Sequence, residues 1–544
     1  MIRSPRALPH CIAALFVCVA SAFGGMLLAS PASAEITSTP QNSWGVADLD
    51  GSSTTNWNSY VWAIEQVGNT IYVGGKFESV RGNGTNYSQP YLAAFHADTG
   101  QWISWWKPVL NGSVYALEAS ADGSKLYVGG EFTSVNGQNI NAFAALNPAT
   151  GNLIPGYNTR VSGGGPAVVR NFDLHAGRLY IVGSFNTIAS DGAQQQAWNA
   201  ARISDSSGAV DNWRPVVERG GVWGVSASRT TSKVYLSGLF YEVNNNADAG
   251  FAVVNSSNGA DASNGWELEN NNCNNDTAGG SCETYHDVAA TSSGLIFVGG
   301  LEHGLYVLNE SDLSLRWFHY TADPNANWYG GDFQDIEVVG DRVYASCHCW
   351  GYHWQDDALH PHRSPVGTRT NIRTVAAYSA SGGQRITSFS PVMNGIAGAW
   401  AIHGHSTDGC LWVGGQMTRA GTTGVNHLVR LCDNGTPGPA AGPQLTAPNN
   451  NAPKKVLSCW ATKQGDDIRI TWTRAGNDNA EKFAIFRSRN GGQWYWAGVS
   501  NGVTTNWTNA NVTNPGTYEY RVVTRAGNQS SAAHVCGPNN GVTV

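Results

Sequence analysis

The sequence predicts an all-β protein, a seven-bladed β-propeller followed by a small β-sandwich. A short motif of β-branched, aromatic and small residues recurs along most of the chain. With 65 glycines, 21 tryptophans and only 13% charged residues, the composition favours short strands and tight turns over helices. A segment rich in Pro, Gly and Asn then separates the repeats from a region in which apolar and polar residues alternate.

Residues 1–34 have the pattern of a cleavable secretory signal. Two arginines precede an apolar run from about 11 to 28, and small residues follow at 32–34. No second apolar stretch is long enough to span a bilayer, so we expect a secreted, extracellular monomer without a membrane span. Beyond the signal, 30 basic residues face 39 acidic ones, a net charge of −9, which argues against a nucleic-acid partner.

Seven copies of the motif mark the predicted blades of the propeller over residues 35–435. A shorter apolar strand precedes each copy, a third strand follows most copies, and several have a fourth strand that contains Trp. Four short strands with turn residues between them are typical of a propeller blade. The copies are IYVGG at 71–75, LYVGG at 126–130, LYIVG at 179–183, VYLSG at 234–238, IFVGG at 296–300, VYASC at 343–347 and LWVGG at 411–415.

The two ends of the repeat region are expected to close the ring. After the seventh copy, HLVRLCDNG at 427–435 supplies a third strand, but no fourth strand precedes the Pro-rich segment. SWGVADLDG at 43–51 has the pattern of a lone fourth strand. We therefore predict that it completes the last blade, which would leave no open sheet edge.

The innermost strands predict a polar, acid-rich central channel. The period of two places apolar residues between blades and the alternate residues toward the axis. Carboxylates that converge in a narrow channel cannot all ionise cheaply, so we expect hydration, a structural cation or acid–base chemistry there. The predicted channel residues are Ala63, Ala116, Asn171, Gly224, Asp287, Asp335 and Ala401 at one level, and Glu65, Glu118, Asp173, Ser226, Ala289, Glu337 and His403 at the next.

Aromatic and acidic residues gather in the loops at one rim of the predicted propeller. Aromatic faces stack on sugar rings, whereas carboxylates and His bind hydroxyl groups or move protons; the alternative is that the aromatics only pack the rim. The densest segments are CETYHDV at 282–288 and WYGGDFQDI at 328–336. For catalysis, the candidate acid, base or nucleophile residues are Asp287, Asp335 and Asp332, with His286 positioning the substrate. The candidate substrate-binding residues are Tyr285, Trp328, Tyr329, Trp400, His348 and Trp350.

One copy of the motif departs from the others. VYASCHCWGYHW at 343–354 replaces the glycines by Cys347, His348 and Cys349. Export favours a disulfide between the two cysteines. The same two cysteines with His348 and His353 could instead hold zinc or copper, although their spacing matches no zinc motif. We leave both interpretations open.

Eight cysteines remain beyond the signal, and an even number in an exported chain indicates disulfides. Their spacing suggests the pairs Cys273 with Cys282, Cys410 with Cys432, and Cys459 with Cys536, with Cys347 and Cys349 as the remainder. Residues 436–453 are a linker, and alternating segments such as IRITWTR at 468–474 predict that residues 454–544 form a sandwich.

Two resemblances refine this architecture. The pattern VGGxFxxVxG…AALNxxTG, over roughly residues 40–435, resembles the delta-60-repeat propellers of secreted bacterial proteins and, more distantly, kelch repeats. Trp472 with Tyr518 and Tyr520 resembles a fibronectin type III module, which implies a spacer or binding appendage. A kelch propeller with a sandwich is also the layout of the galactose oxidase family, which implies copper held by Tyr and His. The conceivable counterparts here are Tyr285, His286 and His534, which lie in no motif that defines them.

The function we favour from the sequence is that of a secreted carbohydrate-active protein. It would bind, and as an enzyme would cleave, an extracellular glycan or cell-wall polymer at the propeller face. A glycoside hydrolase or polysaccharide lyase fits these residues better than a copper oxidase. The alternative is a non-catalytic adhesin or scaffold for a protein or cell-wall partner. An enzyme needs a titratable group of shifted pKa in a cleft, whereas a binding module needs only the aromatic platform.

Overall fold

Every regular element in the structure, a computed structural model, is a β-strand, which confirms the all-β class. Several predicted features lie outside the described residues: the signal at 1–34, the linker at 436–453, Trp328 with Tyr329, and the cysteines Cys273 and Cys282. The structure describes residues 36, 39–48, 60–264, 268, 284–300, 303–322, 331–356, 368–395, 397–405, 409–432, 456–474, 482–501, 504–526, 529–531, 533–538 and 541–544.

The described residues contain 45 strands. Those of the first four repeats are β1 (Gly45–Ala47), β2 (Tyr60–Val67), β3 (Thr70–Lys76), β4 (Ser79–Gly82), β5 (Thr85–Ser88), β6 (Leu92–His96), β7 (Val114–Ala119), β8 (Leu126–Gly130), β9 (Ser134–Val135), β10 (Gln138–Asn139), β11 (Phe143–Leu146), β12 (Arg160–Ser162), β13 (Val168–His175), β14 (Arg178–Ser184), β15 (Thr187–Ser190), β16 (Ala193–Gln196), β17 (Ala200–Ser204), β18 (Val217–Glu218), β19 (Gly221–Ala227), β20 (Lys233–Leu239), β21 (Glu242–Val243), β22 (Asn246–Ala247) and β23 (Phe251–Asn255).

The remaining strands complete the repeats and form the C-terminal region. In the last three repeats they are β24 (Tyr285–Ala290), β25 (Leu295–Gly300), β26 (Gly304–Asn309), β27 (Leu315–Ala322), β28 (Phe333–Val339), β29 (Arg342–Asp356), β30 (Thr368–Ser379), β31 (Arg385–Ile386), β32 (Ala399–His405), β33 (Cys410–Gly415), β34 (Arg419–Ala420), β35 (Thr423–Gly424) and β36 (Leu428–Cys432). The C-terminal strands are β37 (Ser458–Gln464), β38 (Asp467–Thr473), β39 (Lys482–Arg489), β40 (Tyr495–Asn501), β41 (Asn506–Asn509), β42 (Thr517–Ala526), β43 (Gln529–Ser530), β44 (His534–Val535) and β45 (Val542–Thr543).

The first strands of the repeats lie side by side around a central axis. In chain order, β2, β7, β13, β19, β24, β28 and β32 each contact the next, and β32 contacts β2 again. Each first strand pairs antiparallel with the motif strand that follows it, and the motif strand pairs with a third strand farther from the axis. A closed ring of radial antiparallel sheets is a β-propeller, so the predicted propeller fold is confirmed.

The predicted fourth strands that contain Trp are mostly reduced to single bridge pairs, which corrects the sequence-based blade. After the first and third repeats, for example, the chain makes only the bridges Phe95 to Trp102 and Ile203 to Val210. A tryptophan farther along the chain, Trp106 or Trp213, is buried between the sheets. A proline follows two residues later in each case and has no N–H for a ladder. Full fourth-strand pairing occurs at β27, in the fifth repeat.

The N-terminal segment closes the ring, but with a different partner from the one predicted. Strand β1 pairs with β4, in a hairpin of the first repeat, and not with the third strand of the last repeat. Just before β1, the N–H of Gln41 donates to the carbonyl of Arg430 in β36 at 2.8 Å. The side chain of Asn42 also bonds β36, at Leu428 and Arg430. The segment therefore bridges the last repeat and the first.

The long strand β29 joins the fifth and sixth repeats into one sheet. Its first half pairs with β28 and with β30, as the motif strand of a repeat should. Its second half continues past the motif and pairs with β27, with Tyr352 opposite Ala322. The residues that follow the sixth motif in β29 therefore belong to a hairpin extension that covers the edge of the fifth repeat.

The C-terminal region has two antiparallel sheets that share one core. One sheet has the order β37-β38-β41, and the other contains β40-β39-β42, with β43, β44 and β45 on β42. Trp472, Tyr518 and Tyr520 are buried between them. Sulfur atoms lie at bonding distance in the pairs Cys459 with Cys536, Cys410 with Cys432, and Cys347 with Cys349. The part of the chain that the structure describes has no helix long and apolar enough to cross a membrane.

Candidate functional site at the channel mouth

A cavity of about 580 Å³ runs along the propeller axis. Its walls contain the predicted channel residues except Gly224 and Ala401, so most of the residues that period-two alternation assigned to the channel do line it. An added Cβ at Gly224 would lie 2.7 Å from Oδ1 of Asp287, which explains why this position has no side chain. The lining residues that can carry charge are Glu65, Glu118, Arg170, Asp173, Arg229, Asp287, Asp335, Glu337 and His403.

Channel carboxylates connect several repeats to the repeat that follows. A first strand is the inner edge of its sheet, so alternate N–H groups point toward the neighbouring repeat without a ladder partner. Carboxylate oxygens accept these hydrogen bonds, and Ser226 does the same for Ala290 at 3.0 Å. The carboxylate bonds run from the N–H of Ala227 to Asp173 at 2.7 Å, of Ile336 to Asp287 at 2.9 Å and of Ile402 to Asp335 at 2.5 Å.

Asp287 and Asp335, two of the predicted catalytic residues, form a buried pair. Burial and the charge of Asp335 raise the pKa of Asp287 well above its ordinary value, and burial raises the pKa of Asp335 to about 6. Beyond the bonds above, Asp287 accepts from Asn171 at 3.1 Å and Asp335 from the N–H of Ile336 at 3.1 Å. All four oxygens therefore have protein donors, which favours a structural role over the predicted catalytic one.

Farther along the channel, Glu65, Glu118 and Glu337 form a second acidic level. Burial first, and then the neighbouring acids, raise the pKa of each, that of Glu118 to about 8. Glu118 is therefore largely protonated at neutral pH, which reduces the repulsion along the axis. No group of three or more His, Cys, Asp or Glu in the described residues is arranged to hold a metal ion, so the predicted structural cation has no ligand set there.

Each first strand has a β-bulge at the same place, at the entrance of the channel. The extra residue breaks the alternation of side chains along the strand, so its own side chain lies at the channel entrance. A period of two assigns these residues to neither level of the channel, so the bulge was not predicted from the sequence. A signal was present, since a large side chain precedes the first channel position in every repeat. The bulged residues are Trp62, Tyr115, Arg170, Trp223, His286, Gln334 and Trp400.

Six of the bulged side chains contact one another in sequence, and we call them the mouth ring: Trp62, Tyr115, Arg170, Trp223, His286 and Trp400. All six are half-buried. The centre-to-centre distances are 4.6 Å from Trp62 to Tyr115, 5.2 Å from Arg170 to each of Tyr115 and Trp223, 5.0 Å from Trp223 to His286 and 5.8 Å from His286 to Trp400. Gln334 instead faces His348, with 3.1 Å between the side-chain amide and Nδ1.

Asp332 lies in a cluster of histidines near the mouth ring. Its carboxylate is 3.2 Å from Nδ1 of His303 and 3.8 Å from Nε2 of His348. Burial alone would raise the pKa of Asp332, but the charges of His348, His303 and His286 outweigh it and hold this pKa low. Burial lowers the pKa of His286 to about 4. At neutral pH, Asp332 is therefore an anion and His286 a neutral hydrogen-bonding group.

The structure argues against two predictions, that Tyr285 binds substrate and that His353 belongs to a metal site. Tyr285 is 1% exposed and packs on Tyr306, because it precedes a bulge and occupies the position of a buried valine in the first four repeats. His353 is fully buried and stacks on His319. The candidate metal set of Cys347, His348, Cys349 and His353 is not assembled, since the two sulfurs are bonded to each other.

The remaining candidates are placed as follows. His286 and Trp400 belong to the mouth ring, and His348 lies beside Asp332. The backbone of Trp350 lies in β29, but its side chain is outside the described residues. Nδ1 of His534 lies 2.9 Å from the carbonyl oxygen of Val456 in the C-terminal region. With Tyr285 buried in the propeller, the copper-oxidase set therefore lacks an accessible tyrosine.

Comparisons with known proteins add only similarities of fold. No protein-family model matches the chain, and no curated protein sequence is similar to it. It is similar to the solved WD40 β-propeller domain of Doa1, with a TM-score of 0.40 and 11% identity over 73% of this chain and 97% of that one. It is also similar to the β-propeller domain of Cps50 (Swd1) from Myceliophteria thermophila, with a TM-score of 0.36 and 9% identity over 69% and 97% of the two chains.

Proposed function

We propose that this chain is a secreted glycan-binding protein whose binding site is the mouth ring. Its propeller is proposed to be seven-bladed and of the delta-60-repeat or kelch-like type, with a fibronectin type III-like module after it. The observation that carries the proposal is the ring itself, in which aromatic side chains from successive repeats meet at the end of a cavity. Disulfide-bonded cysteines are compatible with an extracellular location.

The chemistry of the ring suits a sugar. A pyranose has an apolar C–H face that stacks on an aromatic ring and a rim of hydroxyl groups that need hydrogen-bond partners. Trp62, Tyr115, Trp223 and Trp400 supply the aromatic faces. Arg170 and neutral His286 supply polar groups between them, and the ionised Asp332 is a strong acceptor for hydroxyl groups nearby.

Binding is better supported than cleavage. Glycoside hydrolysis needs a protonated acid and a second carboxylate, both free to reach the glycosidic bond. The four oxygens of Asp287 and Asp335 already accept hydrogen bonds from the protein. Asp332 is held ionised, so it is a poor general acid at neutral pH. We therefore propose a binding module, with hydrolysis or elimination as an outcome for experiment to detect.

The test is retention of the purified protein on a panel of immobilised polysaccharides, with the eluate analysed for released sugars. We expect retention without products. Trp62→Ala and Trp223→Ala should each weaken retention about tenfold, since a well-packed aromatic contact contributes at least about 1.4 kcal/mol to binding.

Trp105→Ala is the matched control, because Trp105 is 70% exposed and is not part of the mouth ring. Retention that is equal in the wild type and both ring variants would contradict the proposed site. Absence of retention on every polysaccharide would reject the glycan function and favour a protein or other partner. Released oligosaccharides would show that the protein also cleaves its ligand.

A further inference from the structure

Arg170 is the cationic member of the mouth ring, and its hydrogen-bonding capacity is not used by the protein. Its Nε–H is buried without a hydrogen-bond partner. The contacts of its guanidinium are with aromatic faces, 5.2 Å from the ring centre of Tyr115 on one side and 5.2 Å from that of Trp223 on the other. A buried donor that lacks an acceptor is costly, so this side chain is suited to a ligand that provides one.

The two ring contacts restrict where such a ligand can bind. Guanidinium donors lie in the plane of the group, and stacking rings occupy the space above and below that plane. Only the edge of the guanidinium remains available, and Arg170 is one of the residues that line the cavity. A carboxylate is complementary to that edge, since two parallel N–H···O bonds join the groups in one plane. A hydroxyl group of a neutral sugar can accept only one hydrogen bond at that edge, not a parallel pair.

The surrounding charges argue against a densely charged ligand. Glu131 lies close enough to Arg170 for its charge to favour the protonated guanidinium. Asp332 is also ionised, near His286. A polyanion would meet negative charge at many of its groups, including the net charge of the chain, −7, whereas one carboxylate would meet only the charges near Arg170.

We propose that Arg170 binds the carboxylate of an isolated uronic-acid residue in an otherwise neutral glycan. The neighbouring sugars of that glycan lie on the aromatic members of the mouth ring. This inference rests on the proposed glycan binding and specifies its ligand class. Tyr115 and Trp223 act as positioning residues in it, because their faces hold the guanidinium plane at a fixed angle to the cavity.

Carboxyl reduction of the ligand provides the experiment. This chemical treatment converts a uronic acid into the corresponding neutral sugar and leaves the backbone of the polysaccharide intact. The probes are glucuronoxylan, which has sparse uronic acids on a neutral backbone, polygalacturonate, which is uniformly charged, and dextran sulfate. Affinity would be measured for the first two in native and carboxyl-reduced form. We expect reduction of glucuronoxylan to weaken binding at least tenfold and both polyanions to bind less tightly than native glucuronoxylan.

Variants of the protein should reproduce the effect of reduction. Arg170→Gln should bind native and reduced glucuronoxylan equally, and Arg170→Lys should recover only part of the preference because an ammonium group cannot form the paired bonds. Arg160→Gln is the matched control, since Arg160 is another partly buried arginine, bonded to the carbonyl of Thr159 and outside the mouth ring. Melting temperatures would show whether each variant is folded, and the comparison of native with reduced ligand does not depend on any variant.

The outcomes separate the two proposals. Equal binding of native and reduced glucuronoxylan by the wild type would overturn the role of Arg170 while leaving glycan binding intact. Tighter binding of polygalacturonate or dextran sulfate than of glucuronoxylan would overturn the isolated carboxylate. Failure of the chain to bind any polysaccharide, in this set or in the wider panel, would overturn the glycan function and this inference with it.

Discussion

Carboxyl groups inside this propeller have a structural role as hydrogen-bond acceptors. Asp173, Asp287 and Asp335 each receive an N–H from the first strand of the following repeat. Burial raises the pKa of both Asp287 and Asp335, so the pair holds a proton in a pH range where an exposed aspartate has none.

The acid pair predicts a specific dependence of stability on pH. Asp335 has a folded-state pKa of about 6 against an ordinary value of 3.8, and the pKa of Asp287 is raised as well. A raised pKa means that the folded state binds the proton more tightly. The resulting stabilisation is therefore complete below about pH 4 and is lost as the pH rises through 6. We expect the melting temperature to fall from pH 5 to pH 8.

Asp287→Asn should flatten this dependence, because the amide cannot ionise beside Asp335. One pKa unit corresponds to about 1.4 kcal/mol. The loss of unfolding free energy between pH 5 and pH 8 should therefore shrink by at least roughly that amount. Asp98→Asn, at an exposed position, is the control and should behave like the wild type. Identical pH slopes for Asp287→Asn and the wild type would show that the pair does not share a proton.

At the scale of the element, an aromatic segment that follows the third strand packs against the sheets in the first and third repeats. Trp106 contacts Tyr72 of a motif strand edge-on at 4.9 Å, and Trp213 contacts Tyr180 in the same way at 4.8 Å. A strand that contains Trp was predicted for each of these segments because an apolar residue follows a turn there. The backbone pairing of a fourth strand is largely missing because the proline has no N–H to donate. Packing of the Trp side chain takes the place of that pairing.

Adjacent tryptophans allow this packing to be measured. Trp106 is 1% exposed and Trp105 is 70% exposed. Trp106→Ala should lower the free energy of unfolding by about 3–5 kcal/mol, since it leaves a cavity between two sheets. Trp105→Ala should change it by less than about 0.5 kcal/mol. Urea denaturation of the two variants would test the difference, and a similar loss in both would mean that Trp106 is not part of the core.

At the scale of the whole molecule, a short N-terminal segment closes the ring. The Nδ2 group of Asn42 donates to the carbonyls of Trp44 at 2.7 Å and Leu428 at 3.0 Å, and its Oδ1 accepts from the N–H of Arg430 at 2.8 Å. This side chain is buried. One residue thereby ties the beginning of the propeller to its last repeat.

Asn42→Ala should weaken the closure of the ring. It leaves buried backbone groups in β36 without partners, at a cost of about 1–3 kcal/mol each. We expect a lower unfolding free energy and faster proteolytic cleavage near residues 39–48. Asn139→Ala, at an exposed position, is the control. If proteolysis of Asn42→Ala matches that of the wild type, closure does not depend on this side chain.

Sequence alone determined the strand-and-turn repeat, the all-β class, the polar lining of the channel and the cysteine pairs Cys410 with Cys432 and Cys459 with Cys536. These features are local or periodic, since alternation with a period of two and turn residues act within a few positions of one another. The same regularity explains why Ile336 and the other positions between repeats are apolar.

Only the tertiary structure decided how the site is assembled. The bulge that turns Trp62, Arg170 and their equivalents into the mouth is an exception to the period that made the strands recognisable. The bond of Asp335 joins residues 67 positions apart, and that of Asn42 joins residues 388 apart. Such contacts depend on which strands become neighbours around the axis, and no local pattern in the chain encodes that arrangement.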